Sequence, residues 1–223
     1  MKNITISLSY YNDFEYLETH LINWKNYNEK IKFQIIDDGS TEKLIDKINL
    51  ESIRNLDLSI YRINQDIKWN IPGVRNLGAT VCETEFVLFC DMDQYFEKED
   101  IYKLCQKANE ELDENKFYTF SRQGRERTAG TMLISLSNFW NCGGYDEDLA
   151  GNYGYNDPLL RKQLNAINIT EYTFEDIFCK QIEADCKLDR SGINKNKKKM
   201  QKKEKLLPRK QLNILNFNWE KCL

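Results

Sequence analysis

Residues 86–93 read Phe-Val-Leu-Phe-Cys-Asp-Met-Asp. An apolar run with no polar interruption describes a strand covered on both faces, because a strand with one wet face would alternate. Two carboxylates stand where it ends. Toward the N-terminus the same plan recurs. Ile4, Ile6 and Leu8 alternate with Thr5, Ser7 and Ser9, and the strand runs into Tyr10-Tyr11-Asn12-Asp13. Phe33-Gln34-Ile35-Ile36 stops at Asp37-Asp38-Gly39-Ser40, and Leu58–Tyr61 is a third strand. Between them, Phe14, Leu17, Leu21, Ile22 and Trp24 recur at helical spacing. Leu44, Ile45 and Ile48 continue a helix with Ser40 or Thr41 as its cap. Pro72 opens another helix past Val74, Leu77 and Ala79. This β-α-β-α-β-α-β order predicts the α/β class, with a mostly parallel, Rossmann-like sheet flanked by helices. Ligands of such sheets sit beyond the carboxyl ends of the strands, so the three polar strand ends should converge on one crevice.

The second half is less regular. The pattern predicts a helix from Lys98 to Glu111, strands at Phe117–Phe120 and Thr131–Ser135, a glycine loop over Asn141–Glu147, and a helix from Asp157 to Leu164. After Leu188 the chain is polar and basic, with Trp219 expected to anchor its end. No internal repeat is present. The expected organisation is one domain over 1–190, divided into a first half (1–97) and a second half (98–190), with a basic extension over 191–223 packing on it.

Composition narrows the class. Of 223 residues, 41% are hydrophobic, 30% are charged and only 3 are proline, which excludes collagen-like, low-complexity and wholly disordered chains. A net charge of −3 speaks against a general nucleic-acid binder. Residues 195–210 nevertheless hold nine Lys/Arg and one Glu, an excess of +8 that leaves about −11 elsewhere. That run reads first as a solvated helix face or a mobile tail. Attraction to anionic lipid or a lipid-diphosphate acceptor is the second reading. Nucleic acid comes last, since no aromatics interleave the lysines. Cysteines number 7, an odd count with no Cys-x-x-Cys pair, which fits reduced thiols and a cytoplasmic setting. No signal-peptide pattern opens the chain and no apolar run approaches the roughly 20 residues of a membrane span. Contact with a membrane would be peripheral.

The strand ends carry chemistry. Asp91 and Asp93 can share a hard divalent cation, Mg²⁺ or Mn²⁺, able to neutralise a departing diphosphate. The bland alternative is a solvated acidic turn. Asp38 can accept from a nucleobase imide or a ribose hydroxyl, or simply close a strand-to-helix turn. Tyr11 can stack on a base, or pack under the next helix. Trp69 and Asn70 border the same crevice or anchor a helix. Arg122 to Arg127 form a solvated loop or a lid over a diphosphate. Cys90 and Cys142 suit buried hydrophobes better than nucleophiles.

Together these motifs resemble a family-2 type glycosyltransferase with the nucleotide-diphospho-sugar transferase (GT-A) fold. The resemblance rests on the strand into Tyr11-Asn12, Asp37-Asp38-Gly39-Ser40, Gly73 to Ala79 and the Asp-x-Asp. Further on it rests on Gly130 to Ser135, Phe139, Gly143 to Glu147, and Gly154-Tyr155-Asn156-Asp157. It covers about residues 3–165. It implies transfer of a sugar from a nucleotide-diphospho-sugar, a UDP-sugar favoured, to a hydroxyl of a glycan or lipid-linked saccharide, with Mn²⁺ or Mg²⁺ and no nucleic-acid partner. Tyr11 would then stack near the base with Ser9 beside it, Asp38 would bind the base, and Arg75 would serve the nucleotide or diphosphate. Asp93 would be the principal metal ligand, with Asp91 on ribose or metal. Asp157 would be the base of an inverting transfer. Two departures keep alternatives open, a retaining enzyme or a non-catalytic sugar-nucleotide or glycan-binding module. Asn156 stands where the family usually has Glu, and Pro158 follows the base. Asp146, Glu147 and Asp148 are competing carboxylates. A late His ligand is lacking, since the only histidine, His20, lies in the first helix with a surface or packing role; nothing specific favours Asp176 or Asp189 in its place. A nucleotidyltransferase would need a glycine-rich basic loop after the first strand, which Tyr10 to Asp13 is not.

Overall fold

The computed structural model describes residues 4–27, 31–110, 112–122, 127–182, 189–208 and 214–223. Gln123 to Glu126 of the polar stretch, Cys186, and Arg209 and Lys210 of the basic run lie outside them. In chain order, β1 (Ile4–Tyr10) leads into α1 (Phe14–Lys25), whose first turn is capped by the Asp13 carboxylate accepting from Tyr16 N at 3.4 Å. There follow β2 (Lys32–Asp37), α2 (Leu44–Lys47), α3 (Leu50–Ile53), β3 (Leu58–Ile63), α4 (Ile71–Thr80) and β4 (Phe86–Cys90). The second half contains β5 (Gln94–Phe96), α5 (Lys98–Glu110), β6 (Lys116–Arg122), β7 (Met132–Ser135) and α6 (Leu136–Asn141). A 3-10 turn (Glu147–Leu149), α7 (Asn156–Asn165), β8 (Thr170–Gln181), α8 (Ile193–Glu204) and β9 (Trp219–Lys221) complete it.

Among the described residues the strands form one sheet in the order β5-β8-β6-β7-β4-β1-β2-β3-β9. The block β4-β1-β2-β3 is parallel throughout. Antiparallel β7 joins it to the second half, where β6 and β8 again run parallel. The order reverses at β1, flanked by β2 and β4, and such a switch point is where open α/β sheets bind ligands. The apolar run over 86–90 is covered on both faces as its pattern requires. Phe86, Leu88 and Cys90 join the core under α1 and α5, whereas Val87 and Phe89 join the core under α6 and α7.

Two local readings differ from the structure. The helix over Leu44 to Ile48 is two four-residue turns, and neither Ser40 nor Thr41 caps it. The Asp37 carboxylate, fixed at the end of a buried strand, takes Ser40 N at 2.9 Å and Leu44 N at 3.3 Å instead. Trp219 is 38% exposed; β9 pairing with β3 and the buried Phe217 hold the end of the chain. The basic run folds as α8. No helix among the described residues is long and apolar enough to cross a membrane.

Candidate active site

The loops after β1 and β2 are stitched together. Asn12 N donates to Ser40 Oγ at 2.9 Å, and Thr41 N donates to Asn12 Oδ1 at 2.9 Å. Asn12 takes φ 53°, a left-handed conformation that Asn tolerates better than most residues. Tyr11 is about half exposed and donates its hydroxyl to Asp66 Oδ1 at 3.1 Å. Ser9 sits one residue inside the strand end, opposite Ile36 of β2. Asp38 is buried and accepts from Asn70 Nδ2 at 2.8 Å. Burial pushes its carboxyl up to about 7; Asn70 opposes the shift and Asp37 adds to it. Gly73 leaves room for the Asn70 amide and the Phe217 ring, since a Cβ there would lie 2.4 Å from Asn70 Oδ1 and 2.6 Å from Phe217 Cε1.

Arg75, on α4, is the centre of the site. Its side chain is 1% exposed. Its guanidinium donates to Asp91 Oδ1, to Asp157 Oδ1 at 2.7 Å and to the Tyr145 hydroxyl at 2.5 Å. Tyr145 in turn donates to Asp157 Oδ1 at 2.9 Å. The cation lies over the rings of Tyr145 and Phe89, at 5.3 and 5.9 Å. Burial alone would lower its pKa, but Tyr145, Asp91 and Asp157 outweigh that, and it stays charged. Asp91 is pushed up to about 6, by burial first; Arg75 holds it down, and Asp157 and Asp93 push it up. Asp91 N donates to Thr131 Oγ1 at 3.0 Å. A Cβ on Gly130 would lie 2.6 Å from both Arg75 Nη2 and Asp91 Oδ2, so glycine is what lets this pair close.

His20 supports the Asp91–Asp93 turn from behind. It is buried in α1, with Nε2 3.0 Å from the Met92 carbonyl, so that nitrogen carries the proton. Burial lowers its pKa to about 4, with the Met92 bond opposing. Between about pH 6.5 and 4 the unfolded chain therefore binds a proton that the folded chain refuses, and stability falls as pH drops through that window. His20→Gln retains a donor for Met92 and removes the titration. Urea denaturation across that range should show the wild type losing about 3 kcal/mol more than the variant; parallel losses would assign the acid sensitivity elsewhere.

Asp93 accepts from Gln181 Nε2 at 3.3 Å. Among the described residues no third His, Cys, Asp or Glu joins Asp91 and Asp93. Asp176 pairs with Lys107, and Asp189 with Lys68. Two carboxylates are hard oxygen donors, and this donor set fits Mg²⁺ or Mn²⁺ completing its shell with water and phosphate oxygens.

Asp157 lies in the first turn of α7, about a quarter exposed, and its Oδ2 takes none of these bonds. Tyr155 before it has φ 69°, and Asn156 is buried with Oδ1 unpartnered. The competing carboxylates are engaged. Lys203 of α8 holds Asp146 and Asp148, each at 2.6 Å, and Glu147 accepts from Asn76 Nδ2 at 2.9 Å. The loop before α7 is clamped by Asn196 of α8. Its Nδ2 donates to the carbonyls of Leu149 and Asn152 at 2.8 Å and of Gly154 at 3.0 Å. Sequence reasoning missed Tyr145, Asn196 and the supporting role of His20. The one signal for Asn196 was an isolated neutral residue inside a lysine run.

The model for Glycosyltransferase like family 2 matches residues 3–117. No curated protein matches the chain. Among solved structures, the fold is shared with S. aureus TarS 1–349 in complex with UDP-GlcNAc, at a TM-score of 0.70 and 15% identity over 89% of this chain and 65% of that one. The mannosyltransferase PcManGT from Pyrobaculum calidifontis, in complex with GDP-Man and Mn²⁺, gives a TM-score of 0.68 at 14% identity, over 82% of this chain and 57% of that one. GalNAc-T7 with UDP, GalNAc and Mn²⁺ gives 0.67 at 11% identity, over 82% and 44%. The present chain thus spans less than two thirds of each of these proteins. At such identities the likeness is one of fold.

Proposed function

Because the chain belongs to glycosyltransferase-like family 2, we propose that it transfers a sugar from a nucleotide-diphospho-sugar, a UDP-sugar in the first instance, to a hydroxyl of a glycan or lipid-linked saccharide. The observation that carries this reading is the bridge through Arg75 from Asp91, at the end of β4, to Asp157, at the start of α7. A donor-side carboxylate and an acceptor-side carboxylate share one buried cation, which fixes one relative to the other as a displacement between two positioned substrates requires. The nucleotides held by the fold relatives support the donor class.

In this reading residues 1–97 bind the nucleotide, 98–190 carry the acceptor side and 191–223 pack on it. Tyr11 offers its exposed face to the base, with Ser9 nearby, and Asp38 accepts from the base. Asp93, with Asp91, would hold Mn²⁺ or Mg²⁺, whose charge offsets that of the leaving diphosphate. Arg75 keeps Asp91 and Asp157 in register and opposes the burial that pushes the Asp91 carboxyl up. Asp157 Oδ2 takes the proton of the acceptor hydroxyl. The acceptor oxygen, giving up that proton, bonds to the anomeric carbon as the bond to the diphosphate oxygen breaks, and the nucleoside diphosphate leaves with the electron pair. Attack from the face opposite the leaving group inverts the configuration.

Isothermal titration with UDP, with and without Mn²⁺, tests the nucleotide crevice. Binding should depend on manganese and weaken at least about tenfold in Asp93→Ala. Because burial pushes the Asp38 carboxyl up to about 7, UDP affinity should fall as the pH drops below that point, by up to about tenfold per unit, and Asp38→Asn should abolish the dependence above about pH 6, below which Asp91 takes up a proton as well. Absence of heat with UDP, GDP, dTDP and CMP alike would overturn the reading.

A further inference from the structure

We infer that the outward face of α8 is a docking surface for an anionic membrane. The helix has two distinct sides. Inward, Asn196 clamps the 149–154 loop, Met200 is buried with Leu149 and Leu159, and Lys203 is consumed by Asp146 and Asp148. Its one acidic residue, Glu204, pairs with Lys162 of α7. Outward, Lys195, Lys197, Lys198, Lys202 and Lys205 are exposed and make no ion pair among the described residues. At 100° per residue these lysines and Gln201 cover one arc that contains no carboxylate. Leu206, just beyond the helix, is 66% exposed.

Charge complementarity selects the occupant. The rest of the chain carries about −11, so attraction to an anionic surface must be confined to this face and will orient the molecule. Lysines on flexible stems act as point charges suited to a diffuse layer of headgroups, while the face lacks the arginine forks and aromatic platforms that nucleic acids use. An exposed leucine beside the lysines adds an apolar foothold. Since α8 packs on the loop leading to Asp157, docking would bring that loop within about 10 Å, one helix diameter, of the headgroups. The inference goes beyond the proposed chemistry and stands or falls without it.

The test is co-sedimentation of the full chain, without nucleotide, with vesicles of phosphatidylcholine alone or with about one-third phosphatidylglycerol. Binding is expected to the anionic vesicles only, and to disappear at high salt. The triple variant Lys198→Gln, Lys202→Gln, Lys205→Gln should reduce partitioning about a hundredfold, at about fivefold per lysine. Its melting temperature should be unchanged, because all three side chains face solvent. Leu206→Ala should weaken vesicle binding and leave binding of soluble polyphosphate unaltered. Failure to bind anionic vesicles, or binding that survives the triple variant, would overturn the proposal. So would polyphosphate competing as tightly as vesicles, which would make the face a polyanion site.

Discussion

Arg75→Met should destabilise the protein by about 3 kcal/mol at neutral pH, measured by urea denaturation. Removing one partner of a buried ion pair costs about 3–5 kcal/mol, because the remaining charge is left uncompensated. Here two carboxylates remain, but Asp91 and Asp157 are 28% and 24% exposed, so water recovers part of the loss and the lower end applies. Asp157→Asn should cost less, about 1–2 kcal/mol, since the guanidinium keeps Asp91 and Tyr145 and the amide oxygen still accepts. The gap between wild type and Arg75→Met has a definite pH trend. Without the guanidinium the Asp91 carboxyl, pushed up to about 6 in the wild type against the pull of Arg75, rises further in the folded state, so the variant keeps a proton that the wild type and the unfolded chain have released. Its stability therefore keeps dropping as pH rises above about 6, where the wild type has released that proton, and the gap widens in that direction. A constant gap would mean that Arg75 matters for packing against Phe89 and Tyr145 rather than for charge.

Asn196→Leu should cost about 2–4 kcal/mol by the same measurement. Two amide protons serve three carbonyls, at Leu149, Asn152 and Gly154, and leucine serves none. Asn152 and Gly154 are partly exposed, so water replaces some of what is lost. The consequence should be one-sided. The loop that loses its clamp leads to Asp157, whereas Asp38, Asn70 and Tyr11 belong to other elements. UDP binding at saturating stability should survive Asn196→Leu and weaken in Arg75→Met, because only the latter releases Asp91. Equal loss of UDP affinity in both would mean that the two sides of the crevice are not separable in this way.

These two residues mark the divide between what could be read in the chain and what could not. The buried strands β2 and β4 announce themselves, because a strand covered by helices is largely apolar and ends where polar residues begin, whereas β1 shows itself by alternation although its Thr5 and Ser7 are buried too. The α/β order, and the position of the carboxylates Asp38, Asp91 and Asp93 just past the ends of β2 and β4, follow from that alone. The short edge strands β5 and β9 carry no such signature, and β8 is largely polar; each becomes a strand by pairing with a neighbour already in place. Arg75 was legible as a motif residue, but its partners were not, since they lie 16 and 82 positions away. Likewise the lysine run was plain in the composition, yet which lysines face water depends on Asn196 and Met200 being drawn inward. Patterns of burial are local and are written along the chain. The pairing of one buried charge with two distant carboxylates is an outcome of chain crossings, and only the folded molecule brings those atoms within hydrogen-bonding distance.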